Sequence, residues 1–244
     1  MNPDFDVLRR RLRAEAILHT TDEKPIRTRD GHVVEWMFYS WGVSLTSDGV
    51  VLAARCVLDV LQTFRGKQLA THGFTAMPLL SACIIEGRGR YSGLAIRSEQ
   101  KKYGSCRRIE GHGDVNEPVI VIDDSISSGS SLENAITALE GEGYTVEGAI
   151  CLVNFPFRGG VEWARGLGYR VETLFDIWND LEMPNPPYTR GLDRIDVPWE
   201  TERRCGDGLP PAVAARQPPI APARPRSSSR RSRPPAGARR SSSK

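Results

Sequence analysis

Apolar positions along this chain group into short runs with two different periods. Val119, Ile120, Val121 and Ile122 are four aliphatic residues in a row, which predicts a strand buried on both faces. Shorter runs predict further strands over 68–72, 93–97, 146–153 and 170–175. Between them, apolar residues at helical spacing predict helices over 78–86, 131–140 and 161–166. Pro78 suits the first turn of its helix, and Gly141, Gly143 and Gly168 follow the ends of the other two. Strands alternating with helices imply a parallel sheet, flanked by helices and joined by right-handed crossovers.

The first 65 residues read differently. Val7, Leu8, Leu12 and Ile17 mark an amphipathic helix over 5–19. Val33, Val34, Trp36, Met37, Phe38 and Tyr39 predict a strand over 32–40. Val51, Leu52, Val57, Leu58 and Leu61 predict a helix over 48–64. The expected organisation is a small N-terminal hood (1–65) over the C-terminal edge of the sheet, an α/β core (66–200) and a tail (201–244). The tail is rich in Pro, Arg, Ala and Ser and has little to bury, so disorder is expected there.

Charge follows the same division. The net charge is +3, but the residues from Leu209 to Lys244 contribute +9 through eight arginines, one lysine and no acid, leaving −6 on Met1 to Gly208. The basic character therefore belongs to the tail and gives no sign that the folded body binds nucleic acid. The tail itself is either a contact for nucleic acid or an acidic partner, or a solubilising extension. No run is long and apolar enough to span a bilayer, and the N-terminus lacks the form of a signal peptide. The five cysteines are scattered without metal-ligand spacing, which predicts a reduced, cytoplasmic setting.

The chemistry is concentrated after the most apolar strand. Asp123 and Asp124 end it, Ser125 to Ser131 form a loop of small residues around Gly129, and a helix begins. Strand ends of parallel sheets bind ligands in open α/β folds. Small residues let backbone N–H groups close round a phosphate, and a helix N-terminus adds partial positive charge. Paired carboxylates suit Mg²⁺ and sugar hydroxyls. Each part alone also fits a capped helix behind solvated carboxylates; the ordered combination points to a phosphate site. A long polar connection, running from Arg97 through Lys101, Lys102, Tyr103 and Gly104 to Asp114, reads either as an exposed loop or as a cationic lid.

The segment from Val119 to Leu132 resembles the 5-phosphoribosyl 1-pyrophosphate (PRPP) signature of type I phosphoribosyltransferases. Arg97, Lys101 and Gly104 keep the lid spacing of the orotate branch, and Gly73 to Pro78 resembles its glycine-led loop, so the likeness extends from about Trp36 to Phe175. The resemblance implies a type I phosphoribosyltransferase fold and a Mg²⁺-dependent transfer from PRPP to a heterocyclic base, orotate or similar, with release of pyrophosphate. It implies that Ser127, Ser128, Gly129, Ser130 and Ser131 hold the 5-phosphate, and that Asp123 and Asp124 orient the ribose and Mg²⁺. Arg97, Lys101 and Lys102 would neutralise pyrophosphate, with Lys101 reaching across a homodimer.

Three sites, four residues in all, depart from the family pattern. Ser98 replaces a lysine, Tyr103 replaces a histidine, and Asn154-Phe155 replaces an Asp-Arg pair whose arginine helps hold orotate's carboxylate. Ser127, Phe155 and Arg158 are the candidates for contacting the base, with Arg158 as a substitute anchor. Two alternatives stay open: transfer to another heterocycle, with Phe155 stacking on it, and a non-catalytic sensor of PRPP or a nucleotide on the same fold.

Overall fold

The computed structural model describes residues 2–27, 33–98 and 107–184. The N-terminal elements are α1 (Pro3–Glu15), β1 (Ile17–His19), β2 (Ile26–Arg27), β3 (Val33–Val34), β4 (Trp36–Phe38), α2 (Trp41–Ser44) and α3 (Ser47–Leu61). Then follow β5 (Gln68–His72), α4 (Met77–Glu86), β6 (Ser92–Ile96), β7 (Ile109–Glu110), β8 (Val119–Ile126), α5 (Ser130–Gly141), β9 (Val146–Asn154), α6 (Gly160–Gly166) and β10 (Arg170–Asp176).

The main sheet has the order β10-β9-β8-β5-β6-β7. Five strands run parallel, and β7 pairs antiparallel at the β6 edge. The pleat divides the four aliphatic residues of β8 between two cores. Ile120 and Ile122 pack with Leu8 and Leu12 of α1, Leu61 of α3 and Leu79 of α4. Val119 and Val121 pack with Leu132, Ile136 and Leu139 of α5 and Val161 of α6. The sheet is therefore covered on both faces, as its uninterrupted apolar run requires. Among the described residues, no helix is long and apolar enough to cross a membrane.

The five core strands and three core helices lie where the hydrophobic pattern predicts them; the N-terminal segment differs. The helix predicted over 5–19 ends at Glu15, and Ile17–His19 turns back to pair antiparallel with Trp36–Phe38. Burial of Ile17 and Trp36 in the core shared with α1 favours this pairing over a longer helix. The strand predicted over 32–40 is two short strands. Val33–Val34 pairs with β2 and Trp36–Phe38 with β1, while the Glu35 carbonyl between them accepts from the Thr20 amide at 2.9 Å. β8 runs four residues beyond Ile122, so Asp123 and Asp124, expected at the strand's end, lie inside it. The edge strand β7 carries too little pattern in two residues to be read from sequence.

Leu61 is fully buried where α3 meets the sheet. Leu61→Ala is expected to lower stability by about 2–5 kcal/mol, as deletion of a packed core side chain does. Equilibrium denaturation of both proteins measures it.

Candidate active site

The site is created by strand order. β5 lies at the centre, with β6 on one side and β8, β9 and β10 on the other. The chain passes from β5 to β6 on one side and returns from β7 to β8 on the other, a reversal that opens a crevice beyond the strand ends. Register sets its depth. β5 pairs with β8 only from Gln68–Val119 to Ala70–Val121, whereas β9 stays paired with β8 as far as Ile126–Asn154. Asp123 and Asp124 thus stand where β8 has lost its β5 neighbour but is still held by β9.

The two carboxylates have different surroundings. Asp123 is buried, and Asp124 is half-buried beside it, its amide donating to Asp123 Oδ1 at 2.9 Å. Burial, followed by repulsion from Asp124, pushes the Asp123 carboxyl well above the ordinary carboxylate range, while a hydrogen bond from Ser131 opposes this more weakly. Asp124 accepts a hydrogen bond from the buried Ser40 hydroxyl at 2.5 Å. Behind Ser131, His72 Nδ1 at the end of β5 lies 3.5 Å from the Ser131 hydroxyl. Burial, followed by the charge of Arg108, lowers the His72 pKa and favours the neutral ring.

Immediately after β8 the chain forms a cradle of backbone amides. Gly129 caps α5 with φ +82°, a left-handed conformation that costs glycine little, and Ser130 and Ser131 begin the helix. The first-turn amides of a helix have no intrahelical acceptor and carry its positive dipole end. Among the described residues, the amides of Ser127, Ser128 and Gly129 also donate to no backbone carbonyl. A pocket of about 160 Å³ lies against Asp123 and the loop from Ser127 to Ser131, and Val121, Ala149 and Cys151 line it as well. Gly160 at the start of α6 packs against this loop, its amide donating to the Ser127 carbonyl at 2.9 Å. A Cβ there would lie 2.3 Å from that carbonyl and 2.8 Å from the Gly129 nitrogen, so the close approach requires glycine.

Other predicted site residues are placed differently. Lys101 and Lys102 lie outside the described residues. Arg97 follows β6 with its side chain exposed, and its Nε donates to Glu110 of β7 at 3.0 Å. An exposed pair of this kind is worth little and can exchange partners. Phe155, at the end of β9, is not a lone exposed ring. It stacks on Trp36 with centroids 6.5 Å apart and meets Phe38 and Phe157 edge-on at 6.0 and 5.9 Å. Arg158 ends the 3-10 turn Pro156–Arg158 and is half-buried. Sequence reasoning missed Ser40, His72 and Gly160, since nothing local marks residues that meet the site only through the fold.

Among the described residues, no three or more His, Cys, Asp or Glu side chains cluster to hold a metal ion. The available oxygen donors are the Asp123 and Asp124 carboxylates, which fit an ion that keeps most of its waters and shares a bound phosphate, as Mg²⁺ does.

No protein-family model matches the chain. The orotate phosphoribosyltransferase of Halobacterium salinarum is 35% identical over 147 residues, covering 60% of this chain and 78% of that protein. The orotate phosphoribosyltransferase of Natronomonas pharaonis is 31% identical over 103 residues, 41% of this chain and 58% of that protein. This chain thus spans a little over half the length of the Natronomonas relative. Among solved structures, the orotate phosphoribosyltransferase of Mycobacterium tuberculosis H37Rv in complex with Fe(III) dicitrate superposes with a TM-score of 0.66 at 21% identity, covering 74% of this chain and 100% of that one. The same protein in complex with PRPP gives a TM-score of 0.62 at 20% identity, with 74% and 100% covered. The solved structures share the fold.

The raised Asp123 pKa predicts a pH-dependent stability. Above the unfolded-state value of about 3.9 and below the folded-state value, the folded chain holds a proton that the unfolded chain has released. Asp123 therefore lowers stability as pH rises through that window. Asp123→Asn is expected to flatten this part of the profile and to be the more stable protein at neutral pH. Thermal unfolding of both between pH 4 and 8 measures it, and parallel profiles would overturn the assignment.

Proposed function

Since the chain belongs to the orotate phosphoribosyltransferase family, we propose that it transfers the 5-phosphoribosyl group of PRPP to orotate, releasing pyrophosphate and forming orotidine 5'-phosphate. The observation that carries this reading is the Asp123–Asp124 pair at the strand-order crevice, followed directly by the Ser127–Ser131 cradle. The amides of the cradle hold the 5-phosphate, and the two carboxylates orient the ribose hydroxyls. Departure of pyrophosphate leaves positive charge at the anomeric carbon, which nearby carboxylates stabilise. A nitrogen of the base then attacks from the opposite face, so the protein contributes positioning and electrostatics with no covalent intermediate.

Mg²⁺, carried in on PRPP and shared with Asp123 and Asp124, would offset the charge of the pyrophosphate. Arg97 gives up its exposed pair with Glu110 to join Lys101 and Lys102 on the leaving group. The lid carrying these lysines excludes water, and Lys101 serves the neighbouring subunit of a homodimer. Ser127, Phe155 and Arg158 border the acceptor. The free, buried thiols of Cys56, Cys83 and Cys151 suit a cytoplasmic setting; burial pushes those of Cys56 and Cys83 up to about 12.

One observation favours a second acceptor class. Phe155 stands where the family places its carboxylate-binding arginine, in contact with the rings of Trp36, Phe38 and Phe157. An uncharged heterocycle fits that wall better than a carboxylate, whose unpaired burial costs several kcal/mol.

Pyrophosphate release from PRPP and Mg²⁺, assayed with orotate and then with neutral purine and pyrimidine bases, tests the reading. Release with orotate, abolished or weakened at least tenfold in KM for orotate by Arg158→Ala, is the expected result. Release with a neutral base alone would establish the second acceptor class, and silence with every base would overturn the transferase. Lys101→Ala is expected to lower kcat far more than PRPP affinity; an unchanged kcat would remove Lys101 from the lid role.

A further inference from the structure

The turn of residues 39–41 belongs to the N-terminal segment, yet it touches both arms of the crevice. Ser40 is only 4% exposed, and its hydroxyl donates to Asp124 Oδ2 across 84 residues of sequence. The next side chain reaches the other arm, for Trp41 Nε1 donates to the Thr75 carbonyl at 3.2 Å, in the loop that follows β5. The Trp41 ring also packs against Phe74 of that loop, with centroids 5.2 Å apart, and against Tyr39 at 5.9 Å. Phe74 is 70% exposed, so the Trp41 ring and the Thr75 contact hold it at the rim without burying it.

The turn is itself backed by the end of α1. The Tyr39 amide donates to the Ala16 carbonyl at 2.7 Å. Gly42 lies so close to the Glu15 carbonyl that a Cβ would stand 1.9 Å from its oxygen. α1 in turn buries Leu8 and Leu12 in the core beneath β8. A continuous packed path therefore runs from that core through α1 to the turn, and from the turn to Asp124 and Thr75.

We infer that Ser40 and Trp41 are positioning residues for the phosphoribosyl donor, Ser40 by fixing the rotamer of Asp124 and Trp41 by fixing the glycine-led loop after β5. The inference rests on the donor-site reading above and deepens it. It assigns the N-terminal segment a role on the donor side in addition to covering the crevice. An Asp side chain has two free torsions, and a buried hydroxyl aimed at one carboxylate oxygen selects a single setting before ligand arrives. The ordering is then complete in the free protein and does not detract from donor affinity. Loss of one hydrogen bond to a charged group corresponds to roughly a tenfold change or more.

Equilibrium binding of PRPP with Mg²⁺ to the full chain, together with thermal unfolding, tests this on Ser40→Ala, Ser40→Thr and Trp41→Phe. Ser40→Ala is expected to raise the PRPP Kd about tenfold, Ser40→Thr to restore most of it by keeping the hydroxyl, and Trp41→Phe to weaken binding by removing the indole N–H and part of the ring packed on Phe74. All three are expected to unfold close to the wild-type temperature, with KM for the acceptor base unchanged. Wild-type binding matched by Ser40→Ala and Trp41→Phe would overturn the inference and leave the donor site standing. So would losses that track thermal stability with no rescue by threonine, because they would mark a structural role alone. A wild-type chain that binds no PRPP would overturn the donor-site reading and this inference with it.

Discussion

Adjacent aspartates on one parallel strand impose a constraint that the surrounding structure answers. The pleat sends successive side chains toward opposite faces, so no single neighbour can serve both. Asp123 meets Ser131 from α5, on the face that α5 and α6 cover. Asp124 meets Ser40 from the N-terminal segment, on the face that α1, α3 and α4 cover. Each carboxylate thus takes one hydroxyl from its own layer, and neither is paired with a cation among the described side chains. Burial, followed by repulsion from Asp124, therefore holds the Asp123 carboxyl well above the ordinary carboxylate range.

That arrangement depends on where β5 stops pairing with β8. Had the β5–β8 ladder continued past Ala70–Val121, the crevice would be filled by backbone. Because β9 remains paired to Asn154, β8 keeps its shape into the open region and presents the carboxylates from a rigid strand. The amide cradle follows within three residues of the strand's end, its left-handed Gly129 and the close approach of Gly160 permitting the tight turn. Positive potential in the cradle comes from backbone dipoles, which need no lysine or arginine and therefore leave no charge to desolvate.

The N-terminal segment binds the layers together. An aromatic series from Trp36 and Phe38 through Phe155 to Phe157 joins it to the end of β9. The turn at Ser40 and Trp41 joins it to β8 and to the loop after β5. The end of β9 and the crevice beside Asp124 are therefore both walled in part by one short stretch of chain. Phe155 illustrates the result: its ring is held by neighbours from the N-terminal segment, so its identity shapes a wall and not merely a single contact.

The order of elements, the two-faced burial of β8, the carboxylate pair and the small-residue loop are legible in the sequence because each rests on local periodicity or local chemistry. A run such as Val119 to Ile122 has only one comfortable environment, and Asp-Asp before a glycine-centred serine loop has few uses beyond anions and sugars. The break of the N-terminal strand at Glu35, the length of β8 beyond Ile122 and the edge strand β7 depend on partners distant in sequence, and no local pattern specifies them. The same holds for Ser40, Trp41, His72 and Gly160, whose residue types are commonplace and whose roles come entirely from what lies across from them. Sequence determined which chemistry the chain carries; tertiary structure decided which side chains hold it in place, because positioning is a property of contacts between elements and not of any one of them.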